Sequence, residues 1–400
     1  MTTRVRSDEA SDTIVPMLLK LRAKKPRGKP VIVAVAGGSG DGKGYLIGKL
    51  IERLNASKGV PPDGVAVLPL DNYYIGVERM RAADVPHFDH PEALDLALAA
   101  EHLAKARVAK TLRIPSYDFA SGERCGEETF TAKAFVLVDG LFALRHPDIL
   151  AASDFRIFVR SDHDSSMLRR LFRDAGPAGR TRQSSRAVLE QYFTTVWPSK
   201  KEFIDPTADR ADVIVESCYD PAVEAHRAGP IQYQLKARGG PSDDHVAALC
   251  RATKLGAAVR QVDRFMQPKS REFRGEMLRL RIENDEVLLT YKGPFLSSGA
   301  GARHATSPIA LPLEAMRWFT DAYEAIATFK KRRTLFLAGD VVIARDEIDQ
   351  MGSFIEVRST SEARLPQMHA ILGRLCPKEP ILTQSYLELW KSRASASPMP

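Results

Sequence analysis

VIVAVAGGSGDGKGYLIGKLIERL, residues 31–54, decides the fold of the first half of this chain. Residues 31–36 form the unbroken apolar run of a buried strand, and residues 45–54 are compatible with a helix. Between them, Gly37-Gly38-Ser39-Gly40-Asp41-Gly42-Lys43 satisfies the pattern GxxxxGK. Glycines let successive backbone N–H groups turn toward phosphate oxygens, the helix N-terminus adds positive potential, and Lys43 reaches the outer phosphates. Strand, loop, lysine and helix in this order read as a P-loop built to hold a nucleoside triphosphate. The residue after Lys43, where a Ser or Thr hydroxyl usually holds magnesium, is Gly44. Asp41 places a carboxylate inside the loop, where it must point outward or help hold the metal.

Short β-rich runs follow at Val65 to Leu70, Phe135 to Val138, Phe155 to Val159 and Val213 to Val215, with helix-compatible segments between them. That alternation predicts an α/β sheet that is mostly parallel. Around Pro221 to Pro230 the pattern changes to short extended segments (IQYQLKAR, MLRLRIE, EVLLTYKG, RRTLFLAG, SFIEVR), with a helix expected over Leu313 to Thr328. The second half therefore reads as an α+β antiparallel β-barrel or strongly curved sheet. The expected boundaries are a helical extension over 1–28 interrupted at Pro16, a first domain over 29–228, a second over 229–378 and a tail over 379–400.

With 44% hydrophobic and 27% charged residues the chain has the composition of folded domains. The formal charge of +8 suits polyanionic ligands. The basic residues lack the interleaved aromatics of a stacking surface, so no nucleic acid is expected. No run approaches the ~18 apolar residues that span a bilayer, and the four cysteines show no CxxC spacing. A cytoplasmic protein with reduced thiols is expected, with no membrane partner and with homo-oligomerisation left open.

Beyond the loop, the order of motifs over residues 31–217 resembles the uridine kinase and phosphoribulokinase group of P-loop kinases. VAVLPLDNYY resembles the family's strand ending in an acidic residue, and the resemblance implies that Asp71 is the base taking the acceptor's proton. HFDHPEALD implies that Asp89 meets the acceptor's sugar hydroxyls, and IPSYDFASGER makes Tyr117 and Phe119 candidates for the acceptor pocket. FVLVDGLFAL implies that Asp139 is a magnesium ligand, together with Asp71. LRRLFRDAGPAGR resembles the Arg-rich lid, so Arg170 and Arg173 would act with Lys43 in catalysis, while Arg180 and, further on, Gln191 would contact the acceptor. Where uridine kinases read the pyrimidine with a His, this chain has Ser121-Gly122, and the lid lacks one expected arginine at Ala178. The acceptor stays open.

From Ile231 to about Leu375 the chain resembles the CYTH, or triphosphate tunnel metalloenzyme, superfamily, in which a β-barrel encloses a cation-lined tunnel. The resemblance implies a polyphosphate site at Gln232, Gln234, Lys236, Arg279, Arg281, Lys292, Arg303, Lys331, Arg333 and Arg358. Residues two apart on a strand share a face, which groups Gln232 with Gln234 and Lys236, and Arg279 with Arg281. The family's ExExK has become QYQLK and its later ExE has become Glu356-Val357-Arg358, leaving Glu356 as the metal-ligand candidate there. Glutamine keeps an acceptor oxygen without its charge, so anion binding is better supported than metal-dependent hydrolysis.

The expected function is an ATP- and magnesium-using phosphotransferase with a second pyro- or polyphosphate-binding tunnel, acting on small-molecule phosphates. Two alternatives are a pyrophosphatase or tripolyphosphatase in the CYTH half with a regulatory kinase-like half, and a non-catalytic nucleotide or polyphosphate sensor.

Overall fold

The computed structural model describes residues 2–175, 183–217, 230–269, 272–273, 275–296 and 301–396. Two compact units comprise Met1–Tyr219 and Asp220–Pro400. The seam expected near residue 229 falls in 218–229, outside the described residues.

The first unit has strands β1 (Thr3–Arg6), β2 (Val31–Gly37), β3 (Val65–Pro69), β4 (Thr111–Asp118), β5 (Glu123–Thr131), β6 (Phe135–Asp139), β7 (Phe155–Ser161) and β8 (Val213–Ser217). Six of them form one parallel sheet in the order β1-β8-β7-β2-β6-β3, and β4 and β5 make a separate antiparallel ribbon. All of β2 is buried, because both faces of an interior parallel strand are covered. Period-two alternation splits it between two apolar clusters. Val31, Val33 and Val35 pack with Leu46 and Leu50 of the helix Lys43–Asn55, while Ile32, Ala34 and Ala36 pack with Leu68, Val136 and Val138.

The N-terminal extension differs from its expected helical form. β1 adds an edge strand against β8, and the helix Ala10–Lys24 runs through Pro16. Ile14, Val15 and Leu18 are buried in the same cluster as Leu46 and Leu50. That packing offsets the helical hydrogen bond Pro16 cannot donate.

In the second unit the strands are β9 (Ile231–Arg238), β10 (Thr253–Lys254), β11 (Val259–Pro268), β12 (Met277–Glu283), β13 (Glu286–Lys292), β14 (Arg303–His304), β15 (Ile309–Leu311), β16 (Tyr323–Ala338), β17 (Val341–Ile348) and β18 (Gly352–Ser359). They run antiparallel in the order β14-β9-β18-β17-β16-β11-β12-β13-β15, with β10 on β16. Gly293 N–H donates to His304 O and Thr306 N–H to Tyr291 O, both at 2.9 Å, while β14 pairs with β9. Through this short segment the far end of the sheet returns to its beginning, and the sheet curls around a tunnel.

Two expectations fail here. The helix expected over Leu313 to Thr328 ends at Thr320, and residues from Tyr323 onward belong to β16, because they pair along β11 from Pro268 to Arg264. The expected tail beyond 379 is ordered structure: Leu382 pairs with Lys236, and the helix Tyr386–Ala396 buries Tyr386 and Leu387 against Phe265, Phe329 and Phe354.

Candidate functional site

Parallel strands bring their C-terminal ends to one edge, and that edge is where ligands of open α/β sheets bind. The loop leaving β2, Asp139 at the end of β6 and Asp71 just after β3 all lie there; Asp139 is in register with both Val35 and Pro69. Gly37 has φ 150° and Gly40 φ 86°, and a side chain at either would collide with backbone, of Val159 and Ser166 respectively. Gly42 precedes the helix Lys43–Asn55 with no side-chain cap, leaving the first-turn N–H groups to a ligand. Lys43 Nζ donates to Gly37 O at 2.9 Å and Gly38 O at 3.1 Å, so its ammonium curls over the loop.

Asp41, expected among the nucleotide contacts, is instead turned into the protein and fully buried. It accepts from Gly38 N–H at 2.8 Å and Ser166 Oγ at 2.6 Å, and lies 3.3 Å from Lys200 Nζ. Burial alone would lower the Lys200 ammonium, but Asp41 and Asp205 hold it above its ordinary value. The carboxylate that endangers phosphate binding thus has an internal cation. Lys200 and Ser166 carry no motif signal and were not expected at the site.

Ser39, at the loop's crest, accepts from Arg170 at 2.8 Å and Arg173 at 3.3 Å. Both arginines project from the helix His163–Asp174. Gln191, expected at the acceptor, accepts from Arg170 at 2.9 Å. Asp89 is buried, and its carboxyl is raised by burial against the lowering influence of Arg170 and His87, with Asp71 raising it further. Tyr74, Tyr117 and Phe119 form an aromatic row with ring centroids 5.3 Å apart in each step; Phe119 is half exposed. Asp71, Asp89, Arg170 and Arg173 therefore converge beside the loop. Arg180 lies outside the described residues.

In the second unit, register assembles the tunnel. Lys236 lies opposite Glu356, Gln234 opposite Arg358, Arg333 opposite Asp346, and Asp263 opposite Arg281. A cavity of about 70 Å³ is lined by seven of the expected cations, by Gln232 and Gln234, and by the carboxylates Asp263 and Glu356. One water needs roughly 10–15 Å³ on this measure, so several waters or a small anion fit.

Arg281 is the expected cation that does not line it. Its guanidinium is committed to Asp263, at 2.6 and 3.0 Å, while Lys331 meets the same carboxylate at 2.9 Å. Burial pushes Asp263 up, but Lys331, Arg279 and Arg281 hold it well below the usual carboxylate range. Arg333 Nε donates to Asp346 at 2.6 Å, and Tyr386 Oη donates to the same carboxylate at 2.7 Å. Burial lowers Lys236 to about 8 against Glu356, and burial with Arg333 lowers Lys331 to about 7. Lys292 is pushed far down by burial and Arg279.

Glu356, expected as a metal ligand, does not fit that role. Its Oε1 faces Arg333 at 3.2 Å and Arg358 at 3.5 Å, and its Oε2 accepts from Gln234 Nε2 at 2.6 Å with Lys236 at 3.9 Å. A divalent cation there would displace donors and meet three charges of its own sign, those of Arg333, Arg358 and Lys236. Among the described residues no three His, Cys, Asp or Glu side chains gather into a metal cluster, and no helix is long and apolar enough to cross a membrane.

The phosphoribulokinase/uridine kinase family model matches residues 32–224 and the CYTH domain model residues 237–369. A uridine kinase of Macrococcus caseolyticus is 34% identical over 190 residues, covering 47% of this chain and 88% of that protein. One of Lactobacillus johnsonii is 32% identical over 190 residues, covering 47% and 86%. A solved protein of Pyrococcus horikoshii OT3 is 24% identical, covering 40% of this chain and 99% of its own, with a TM-score of 0.34. The chain belongs to the phosphoribulokinase/uridine kinase family of P-loop proteins and carries a CYTH domain after its kinase-like domain.

Proposed function

We propose that the first unit transfers a phosphoryl group from ATP to a small hydroxyl-bearing acceptor and that the second holds a pyro- or oligophosphate. The observation that carries the first part is the convergence on Ser39 and its surroundings: Arg170 and Arg173 at the loop, with Asp71 and Asp89 beside them. Phosphoryl transfer needs positioned phosphates and stabilised charge more than covalent chemistry. Loop N–H groups and Lys43 would hold the phosphates, and the two arginines would neutralise charge on the transferred group. Asp71 would accept the acceptor's proton. Asp89 and the row Tyr74, Tyr117 and Phe119 would form the acceptor's seat.

Magnesium normally takes one or two carboxylates plus substrate phosphates. Asp71 and Asp139, at the ends of neighbouring strands, supply that donor type and would hold the ion, which neutralises phosphate charge when bound; Gly44 adds no donor. The tunnel's charge supports an anion site in the second unit, and the surroundings of Glu356 argue against a metal-dependent hydrolase there.

ATP turnover measured with and without a panel of hydroxyl acceptors tests the reading. Lys43→Ala is expected to lower turnover about 100-fold or more, the scale of losing one transition-state donor. No acceptor-stimulated turnover above that variant would sink the phosphotransferase. Magnesium-independent ATP binding without turnover would put a nucleotide sensor in its place.

A further inference from the structure

The tunnel of the CYTH domain carries more cations than carboxylates. Among the described residues seven lysines and arginines line it against two carboxylates, and both carboxylates are engaged by those cations or by Arg281. Gln234 adds to this balance. A carboxylate at this position would add charge beside Glu356; the amide instead donates to Glu356 Oε2 at 2.6 Å and accepts from Lys292 at 3.1 Å. The side chain thereby brings no carboxylate and occupies one oxygen of Glu356. Arg358 places a guanidinium 3.5 Å from Glu356 Oε1.

Uncompensated buried charge is costly, and here the excess is all positive. Burial and like-charge neighbours lower Lys292, Arg279 and Arg358 alike. A bound anion relieves this crowding, whereas a divalent cation increases it. Thr290 donates no charge but accepts from Arg279 at 3.1 Å, which fixes that guanidinium on the tunnel wall.

We propose that the tunnel binds an oligophosphate chain by direct contact with its arginines and lysines and takes no divalent metal; this rests on the oligophosphate reading above and specifies its chemistry. Charge-assisted contacts to phosphate replace the metal bridge, with Arg279, Lys292 and Arg358 as the principal donors.

The test is calorimetric titration of full-length Lys43→Ala protein, which weakens the P-loop as a competing site, with sodium tripolyphosphate in EDTA and again in magnesium chloride. Binding is expected in EDTA, with magnesium leaving it unchanged or weaker because the metal sequesters free ligand. Adding Arg279→Ala is expected to weaken it about tenfold or more, the scale of a lost charge-assisted contact. Should melting curves show that variant unfolded, Arg358→Gln, nearer solvent, gives the same readout. Binding only with magnesium overturns the metal-free proposal and leaves the oligophosphate reading standing. No binding in either buffer overturns both. Binding in EDTA indifferent to folded Arg279→Ala and Arg358→Gln places the ligand elsewhere and also overturns the proposal.

Discussion

The P-loop and the tunnel of this chain solve opposite charge problems. In the P-loop one carboxylate, Asp41, sits within the glycine-rich turn, and the fold turns it inward onto Gly38 N–H, Ser166 and Lys200. In the tunnel the cations outnumber the carboxylates, and the fold leaves that excess facing a cavity. A buried charge with a full set of internal partners serves the architecture; a group of buried charges lacking them marks where a ligand of opposite sign belongs. The Asp41 pairing is therefore expected to respond to mutation through stability, the tunnel's cations through binding.

The largest expected effect tests the self-contained half of this contrast. Lys200→Met leaves Asp41 buried without its cation, and breaking such a pair costs about 3–5 kcal/mol. Urea unfolding should show that loss. The double variant Asp41→Ser, Lys200→Met removes both charges and is expected to recover most of it. A single variant as stable as wild type would mean that Gly38 and Ser166 alone satisfy Asp41, and the contrast between the regions would fail.

A smaller effect comes from the tunnel's pH dependence. Burial and Arg333 lower Lys331 to about 7, opposed by Asp263 and Asp346, while Arg281 lowers it further. A bound polyanion favours the charged ammonium and raises that value. Below pH 7 Lys331 is already charged before binding, so it takes up no proton there. Above it, binding must supply a proton, and affinity falls as pH rises, by up to about tenfold per unit. Tripolyphosphate titrations between pH 6.5 and 8.5 should show the fall, and Lys331→Arg, charged throughout, should make it shallower, leaving the part contributed by Lys236 and Lys292. An equal slope in both proteins would remove Lys331 from the site.

The unequal legibility of the two regions has the same physical origin. The β2, loop and helix sequence was readable because strand, glycines and helix are contiguous, and the tunnel's cations because alternation along a strand fixes their common face. Partners supplied from elsewhere were not readable. Lys200 reaches Asp41 across the fold, Asp346 meets Arg333 only through the β16/β17 register, and Tyr386 arrives from a segment read as a tail. For the same reason Arg281 was grouped with Arg279. Both share a face of β12, but only the tertiary position of Asp263 decides which of them is left for the cavity.

The smallest effect addresses what the P-loop lacks rather than what it has neutralised. A side chain at Gly44 would meet no atom within 4 Å, and its backbone is not left-handed, so Gly44→Ser fits without strain. The new hydroxyl stands one residue after Lys43, where a P-loop Ser or Thr meets magnesium. Stability should change by less than about 1 kcal/mol, in the favourable direction, since glycine inside a helix costs about that much. Magnesium-dependent turnover should rise, because a neutral oxygen ligand would supplement the two carboxylates. Measured as turnover against magnesium concentration, the gain belongs in a lower half-saturating concentration of metal. A gain independent of magnesium would mean that the helix, and not the metal, limits the loop; no gain would mean that Asp71 and Asp139 already suffice and that Gly44 has no catalytic cost.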